Sequence, residues 1–147
     1  MYIVSDLLKT KGRAVWTCSP QTTLLDALKL MAEKNIGALL VMEGDRITGI
    51  LSERDVVRRI SKKGQCLLDE PVDGFMTEEV IVVRPDMTTQ ECMQIMTQGH
   101  FRHLPVMDGG KLAGMISIGD VVRALIGEHE STISGLENYI LGRDYNG

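Results

Sequence analysis

The chain has 147 residues, of which 44% are hydrophobic and 24% charged, and its net charge is −4. That composition excludes a disordered or collagen-like chain, fits one compact domain or two small ones sharing a core, and lacks the basic excess that drives nucleic-acid binding. Aromatics, at 4%, leave little for stacking on single strands. Cysteines stand at 18, 66 and 92. An odd number without C-x-x-C spacing argues against a disulfide framework or a cysteine zinc site and for a reducing, cytoplasmic setting. The opening Met1-Tyr2-Ile3-Val4-Ser5-Asp6 lacks the basic and apolar regions of a signal peptide. No apolar run approaches the roughly 18 residues of a membrane span.

In chain order, a lead-in segment (Val4 to Leu8) precedes a β-rich run, Ala14 to Cys18, that ends at Pro20. Thr23-x-x-Asp26 then has the form of a capping box, and Leu24, Ala27, Leu28 and Met31 follow at helical spacing. Asn35 can end that helix in the left-handed conformation. Ala38 to Met42 and Ile47 to Leu51 flank Glu43-Gly44-Asp45 and predict a hairpin, and a closing helix starts at Ser52.

The same grammar then recurs. Shifting the chain by 65 places Pro20 on Pro85, Thr23 on Thr88, Met31 on Met96 and Leu39 on Leu104. The same shift places Gly49 on Gly114, Ser52 on Ser117, and Asp55-Val56-Val57-Arg58 on Asp120-Val121-Val122-Arg123. The second unit therefore predicts a strand at Val80 to Val83, a helix carrying Cys92, Met93, Ile95 and Met96 and ending at Gly99, a hairpin around Asp108-Gly109-Gly110, and a helix from Ser117. Each unit reads β-α-β-β-α, an α/β (α+β) arrangement whose sheet is covered on one face only. Two copies packed as one pseudo-symmetric module supply the missing cover. The expected divisions are 1–61 for the first repeat with its lead-in, 62–71 for a linker, 72–127 for the second repeat with its lead-in, and 128–147 for a helical tail. In that tail Ile133, Leu136 and Ile140 form a narrow apolar stripe.

Three motifs carry a family likeness: Gly49-Ile50-Leu51-Ser52-Glu53-Arg54-Asp55, Gly114-Met115-Ile116-Ser117-Ile118-Gly119-Asp120, and His103-Leu104-Pro105-Val106. Recurring in order at one spacing, they resemble the CBS-domain family, and the tandem pair resembles its Bateman module, most of all in stand-alone CBS-pair proteins. The resemblance implies a regulatory, non-catalytic module. It would bind an adenosine nucleotide (AMP, ADP, ATP or NAD(H)) in clefts between the repeats and pair with a second copy as a flat disc.

The residues themselves admit two readings. Ser52-x-x-Asp55 and Ser117-x-x-Asp120 are helix-capping patterns, and a carboxylate at a helix start can also accept hydrogen bonds from both hydroxyls of a ribose. Gly37-Ala38 aligns with Arg102-His103. Gly and Ala suit close approach of an adenine ring; Arg and His suit phosphate, or are a solvated charge and a structural histidine. Arg54 is a further phosphate candidate or an exposed first-turn arginine. Lys11, in the basic stretch Lys9 to Arg13, is a cleft wall or a solvated loop residue, and Trp16 is core or a flank for a base. His100-x-x-His103 has no third metal ligand nearby in sequence, and no G-x-S-x-G or equipped cysteine points to nucleophilic catalysis. The alternative function is a structural dimer module without a nucleotide. A regulated partner protein is implied by the first reading and is not identified by any residue.

Overall fold

The computed structural model describes residues 1–65 and 67–128. The order is α1 (Val4–Lys11), β1 (Thr17–Cys18), α2 (Leu24–Lys34), β2 (Ala38–Glu43), β3 (Arg46–Ser52), α3 (Glu53–Lys63), a 3-10 turn (Val72–Gly74), α4 (Thr89–Gly99), β4 (His103–Asp108) and β5 (Lys111–Ser117). A helix, α5, follows over residues 118–128. The apolar stripe at Ile133, Leu136 and Ile140, and Cys66, lie outside the described residues.

Both hairpins close through two-residue turns, Gly44-Asp45 and Gly109-Gly110. Gly44, Gly109 and Gly110 hold positive φ (59°, 57° and 82°), as primed turns require. Each hairpin slips register at the same repeat position, Val41/Met42 and Val106/Met107. The β-rich run of the first repeat shortens to two residues, parallel to β2. The strand expected at Val80 to Val83 is not formed. Only Val83 pairs with Val106, its N–H donating to Pro105 O at 2.9 Å while its carbonyl accepts from Met107 N–H at 2.9 Å. One bridge holds that run in place, with no ladder behind it.

Thr23 and Thr88 cap α2 and α4 by accepting from the N–H of Asp26 (3.2 Å) and Glu91 (3.1 Å). Asn35 ends α2 in the left-handed region. In α4 the left-handed residue is His100, the repeat partner of Asn35, and not Gly99, which is the last helical residue. A side chain at Gly99 would collide with the Phe101 ring, so its glycine serves packing. The helix that starts after Ser52 runs to Lys63, into the stretch assigned to the linker.

The buried residues form two cores. One joins Leu24, Ala27, Met31, Leu39, Val41, Leu51 and Val56 to Val72 and Phe75. The other joins Val83, Cys92, Met96, Leu104, Val106, Ile116 and Val121 to Val4, Leu7 and Leu8. The lead-in segments thus cross over, each completing the core of the other repeat. Matching hydrogen bonds anchor them: Val4 N–H to Met87 O and Val72 N–H to Thr22 O, both 2.8 Å, and Thr89 N–H to Tyr2 O (3.1 Å) and Leu24 N–H to Glu70 O (2.8 Å). Neither repeat has a whole core from its own contiguous chain.

Candidate functional site

Two clefts form where residues of both repeats meet. Asp120 and Ser117, at the start of α5, face the larger one, a cavity of about 440 Å³. Lys11 from the end of α1, Trp16 from the run before β1, and Gly37-Ala38 at the start of β2 line its other walls. Asp55, Ser52 and Arg54, at the start of α3, line the smaller one, of about 190 Å³, opposite Arg102. Gly37 and His103 line both. Each cleft therefore combines the helix start of one repeat with the strand start of the other. Arg102 accordingly lines the cleft of Asp55 and not that of Asp120, although its backbone carbonyl accepts from Ile118 N–H (2.8 Å) at the start of α5.

At both helix starts the capping box is complete. Ser52 N–H and Oγ donate to Asp55 Oδ2 (3.0 and 2.8 Å), and Asp55 N–H donates to Ser52 Oγ (3.2 Å). Ser117 N–H donates to Asp120 Oδ2 (2.8 Å), and Asp120 N–H donates to Ser117 Oγ (3.2 Å). The remaining partners differ. Thr77 Oγ1, an uncharged donor, donates to Asp55 Oδ1 at 3.1 Å. Asp120 is held by two cations, Lys11 Nζ on Oδ2 and Arg123 Nη2 on Oδ1, both at 2.7 Å. Its side chain is only 9% exposed. Burial pushes its carboxyl pKa up, but the hydrogen bonds from Lys11 and Ser117 prevail and hold it below the usual carboxylate range.

His103 is held below its ordinary pKa, by burial first and then by Lys11 and Arg102, against the opposing pull of Asp120 and Glu53. Its neutral form is favoured, which leaves an imidazole lone pair and one N–H for a ligand. Trp16 is 41% exposed, and Lys34 Nζ stands 4.3 Å from its ring centroid. This cation–π contact orients the ring. Among the described residues, no group of three or more His, Cys, Asp or Glu is placed to hold a metal.

Thr77, Arg58, Arg123 and His100 also stand in or beside the clefts. Arg58 and Arg123 were legible as the last residue of the matching Asp-Val-Val-Arg tetrads, three positions after each aspartate and on the same helix face. Thr77 carried no local signal; its backbone pairs with Ile50 only because its lead-in segment crosses to the first repeat.

The CBS-domain family model matches residues 4–62 and 72–127. The chain belongs to the CBS-domain family. The mitochondrial CBS-domain-containing protein CBSX3 of Arabidopsis thaliana is 39% identical over 149 residues, covering 95% of this chain and 72% of that protein. The crystal structure of a CBS-domain protein from Agrobacterium tumefaciens matches with TM-score 0.81 at 41% identity, covering 84% of this chain and 98% of that one. The structure of CBSX2 in complex with AMP matches with TM-score 0.67 at 28% identity, covering 88% and 99%. These CBS pairs share the mixed α/β fold and the tandem repeat described above. Among the described residues, no helix is long and apolar enough to cross a membrane.

Proposed function

We propose that this CBS pair is a regulatory, non-catalytic module that binds an adenosine nucleotide (AMP, ADP, ATP or NAD(H)) in the larger cleft and reports energy or redox state to a partner protein. The supporting observation is the meeting, in one cavity, of a helix-start carboxylate (Asp120), a half-exposed indole (Trp16) and a cation (Lys11). These three chemistries suit ribose, base and phosphate. Asp120 and Ser117 take the ribose edge, Trp16 and the side-chain-poor Gly37-Ala38 flank the base, and Lys11 and His103 face phosphate. The AMP complex of the similar CBSX2 supports the ligand class. In the smaller cleft Arg54 and Arg102 offer phosphate contacts, and Asp55 and Ser52 a second, weaker ribose position. A ligand acts as a signal only by binding two arrangements unequally, and here the two arrangements belong to a homodimer of modules. The free thiols of Cys18 and Cys92 suit a reducing compartment, for which we take the cytoplasm.

The completed capping boxes favour the rival, a structural dimer whose aspartates only cap helices. One experiment separates the two. AMP should quench or shift the fluorescence of Trp16, the sole tryptophan, and release heat in calorimetry. Asp120→Asn keeps an oxygen to accept from Ser117 N–H but loses the ion pairs with Lys11 and Arg123, so the free protein should melt at a modestly lower temperature. The substitution should weaken AMP binding about tenfold to a hundredfold, the worth of charge-assisted hydrogen bonds. Asp120→Asn binding AMP as tightly as the parent, or no AMP binding by the parent, would leave the rival standing.

A further inference from the structure

We propose that Lys11 makes the larger cleft selective for phosphorylated ligands, by exchanging its ion pair with Asp120 for one with the ligand's phosphate. This rests on the reading of that cleft as a nucleotide site and adds how the site reads charge. Lys11 is the last residue of α1, a helix rooted by Val4, Leu7 and Leu8 in the core of the second repeat. Its Nζ donates to Asp120 Oδ2 at 2.7 Å and to Met115 O at 2.8 Å. The side chain is 39% exposed and lines the cleft. A fixed root with an accessible, flexible head suits a cation that changes partners.

Acceptor counting makes the exchange necessary. A carboxylate offers about four acceptor sites. Asp120 already accepts from Ser117 N–H, Lys11 Nζ and Arg123 Nη2, so about one remains. A ribose diol held through both hydroxyls needs two. One donor must leave, and the surroundings select which. The Ser117 N–H belongs to the backbone at the end of β5. Arg123 lines the groove between α1 and α5 and is not part of the cleft lining. Lys11 alone is both removable and in the ligand's path. Once released, its ammonium has lost an anionic partner. A nucleoside offers no replacement and must bind against that loss, whereas a nucleotide brings a phosphate to which Lys11 can turn. His103, the other titratable group on that wall, is held neutral by its surroundings and replaces little of the lost charge pairing. The smaller cleft has no such device, because the corresponding donor to Asp55 is the neutral hydroxyl of Thr77.

The test is calorimetry of the full chain with adenosine and with AMP, on the parent, Lys11→Met and Lys11→Arg. The parent should prefer AMP by about tenfold to a hundredfold, the worth of a charge-assisted contact. Lys11→Met keeps most of the stem and removes the charge. It should bind adenosine more tightly and AMP more weakly than the parent, collapsing the preference from both sides, while Lys11→Arg retains it. If Lys11→Met leaves the ratio unchanged, or weakens both ligands equally, the exchange is wrong although the site stands. If the parent binds neither ligand, the nucleotide reading itself falls. Far-ultraviolet circular dichroism of each variant verifies the fold, and the Lys11→Arg rescue excludes a merely structural loss.

Discussion

Acid acts on individual residues of this protein in two separate windows. His103 is held below its ordinary 6.5 in the folded state, so below about that pH the unfolded chain binds the proton first. Its contribution to stability is present above 6.5 and is lost as pH falls through the folded value. Asp120 is held below its ordinary 3.8, so its contribution is present above 3.8 and is lost as pH falls through its own lowered value. Melting temperature against pH should therefore decline in two steps. His103→Gln should remove the upper step, and Asp120→Asn the lower. A His103→Gln profile that overlays the parent's below pH 6.5 would show that His103 titrates alike folded and unfolded. Cys92 contributes to neither window. Burial, with a smaller push from Glu91, raises its pKa to about 11, so it remains a thiol. It occupies the helix position that Ala27 fills in the first repeat, and it is wholly buried.

At the scale of elements, β3 and β5 each carry a glycine at its centre, which weakens a strand unless something must come close. Here the crossed lead-in segments do. A Cβ on Gly49 would lie 2.6 Å from Met76 Sδ and 2.9 Å from the Thr77 carbonyl oxygen, whereas a Cβ on Gly114 would lie 2.6 Å from Leu8 Cδ2. The first clash includes backbone, the second only the side chain of the buried Leu8. Gly49→Ala should thus cost about 1–3 kcal/mol in denaturant unfolding, as overpacking does, and Gly114→Ala distinctly less. Equal losses would mean that the two lead-in segments are held alike. The helices and hairpins were legible from periodicity, caps and turn glycines because those signals are local. Val80 to Val83 misled because β-branched residues favour extended backbone, but the ladder a strand needs is decided by neighbours. The left-handed residue fell on His100 because both helices end at the same repeat position, Asn35 in the first, whereas Gly99 is still helical and lacks a side chain where the Phe101 ring packs.

For the whole molecule, the apolar residues left outside the cores are informative. Val57 and Val122 hold the same position in the two Asp-Val-Val-Arg tetrads and are 67% and 37% exposed, and Ile118 and Ile126 on α5 are exposed as well. Exposed apolar side chains at repeat-equivalent helix positions suit a two-fold partner, since a closed dimer buries the same surface of both copies. Light scattering at micromolar concentration should give twice the monomer mass, and Val57→Glu with Val122→Glu should halve it. A parent already at monomer mass would remove the dimer, and with it the proposed route by which a ligand state leaves the module.

The sequence by itself determined the repeat, the α/β content of each unit, the family, and the residue types gathered in the clefts. All of these follow from patterns within a few dozen residues or from one constant offset. Which residues share a cleft was decided only by tertiary structure. Lys11 and Asp120 meet across more than a hundred positions because α1 leaves its own repeat and completes the core of the other. That exchange is driven by burial, which has no direction along the chain and leaves no mark in local spacing. The same non-local packing put Arg102 with Asp55, gave Asp55 a neutral hydroxyl as partner, and added Lys11 to the Arg123 that α5 itself sets beside Asp120.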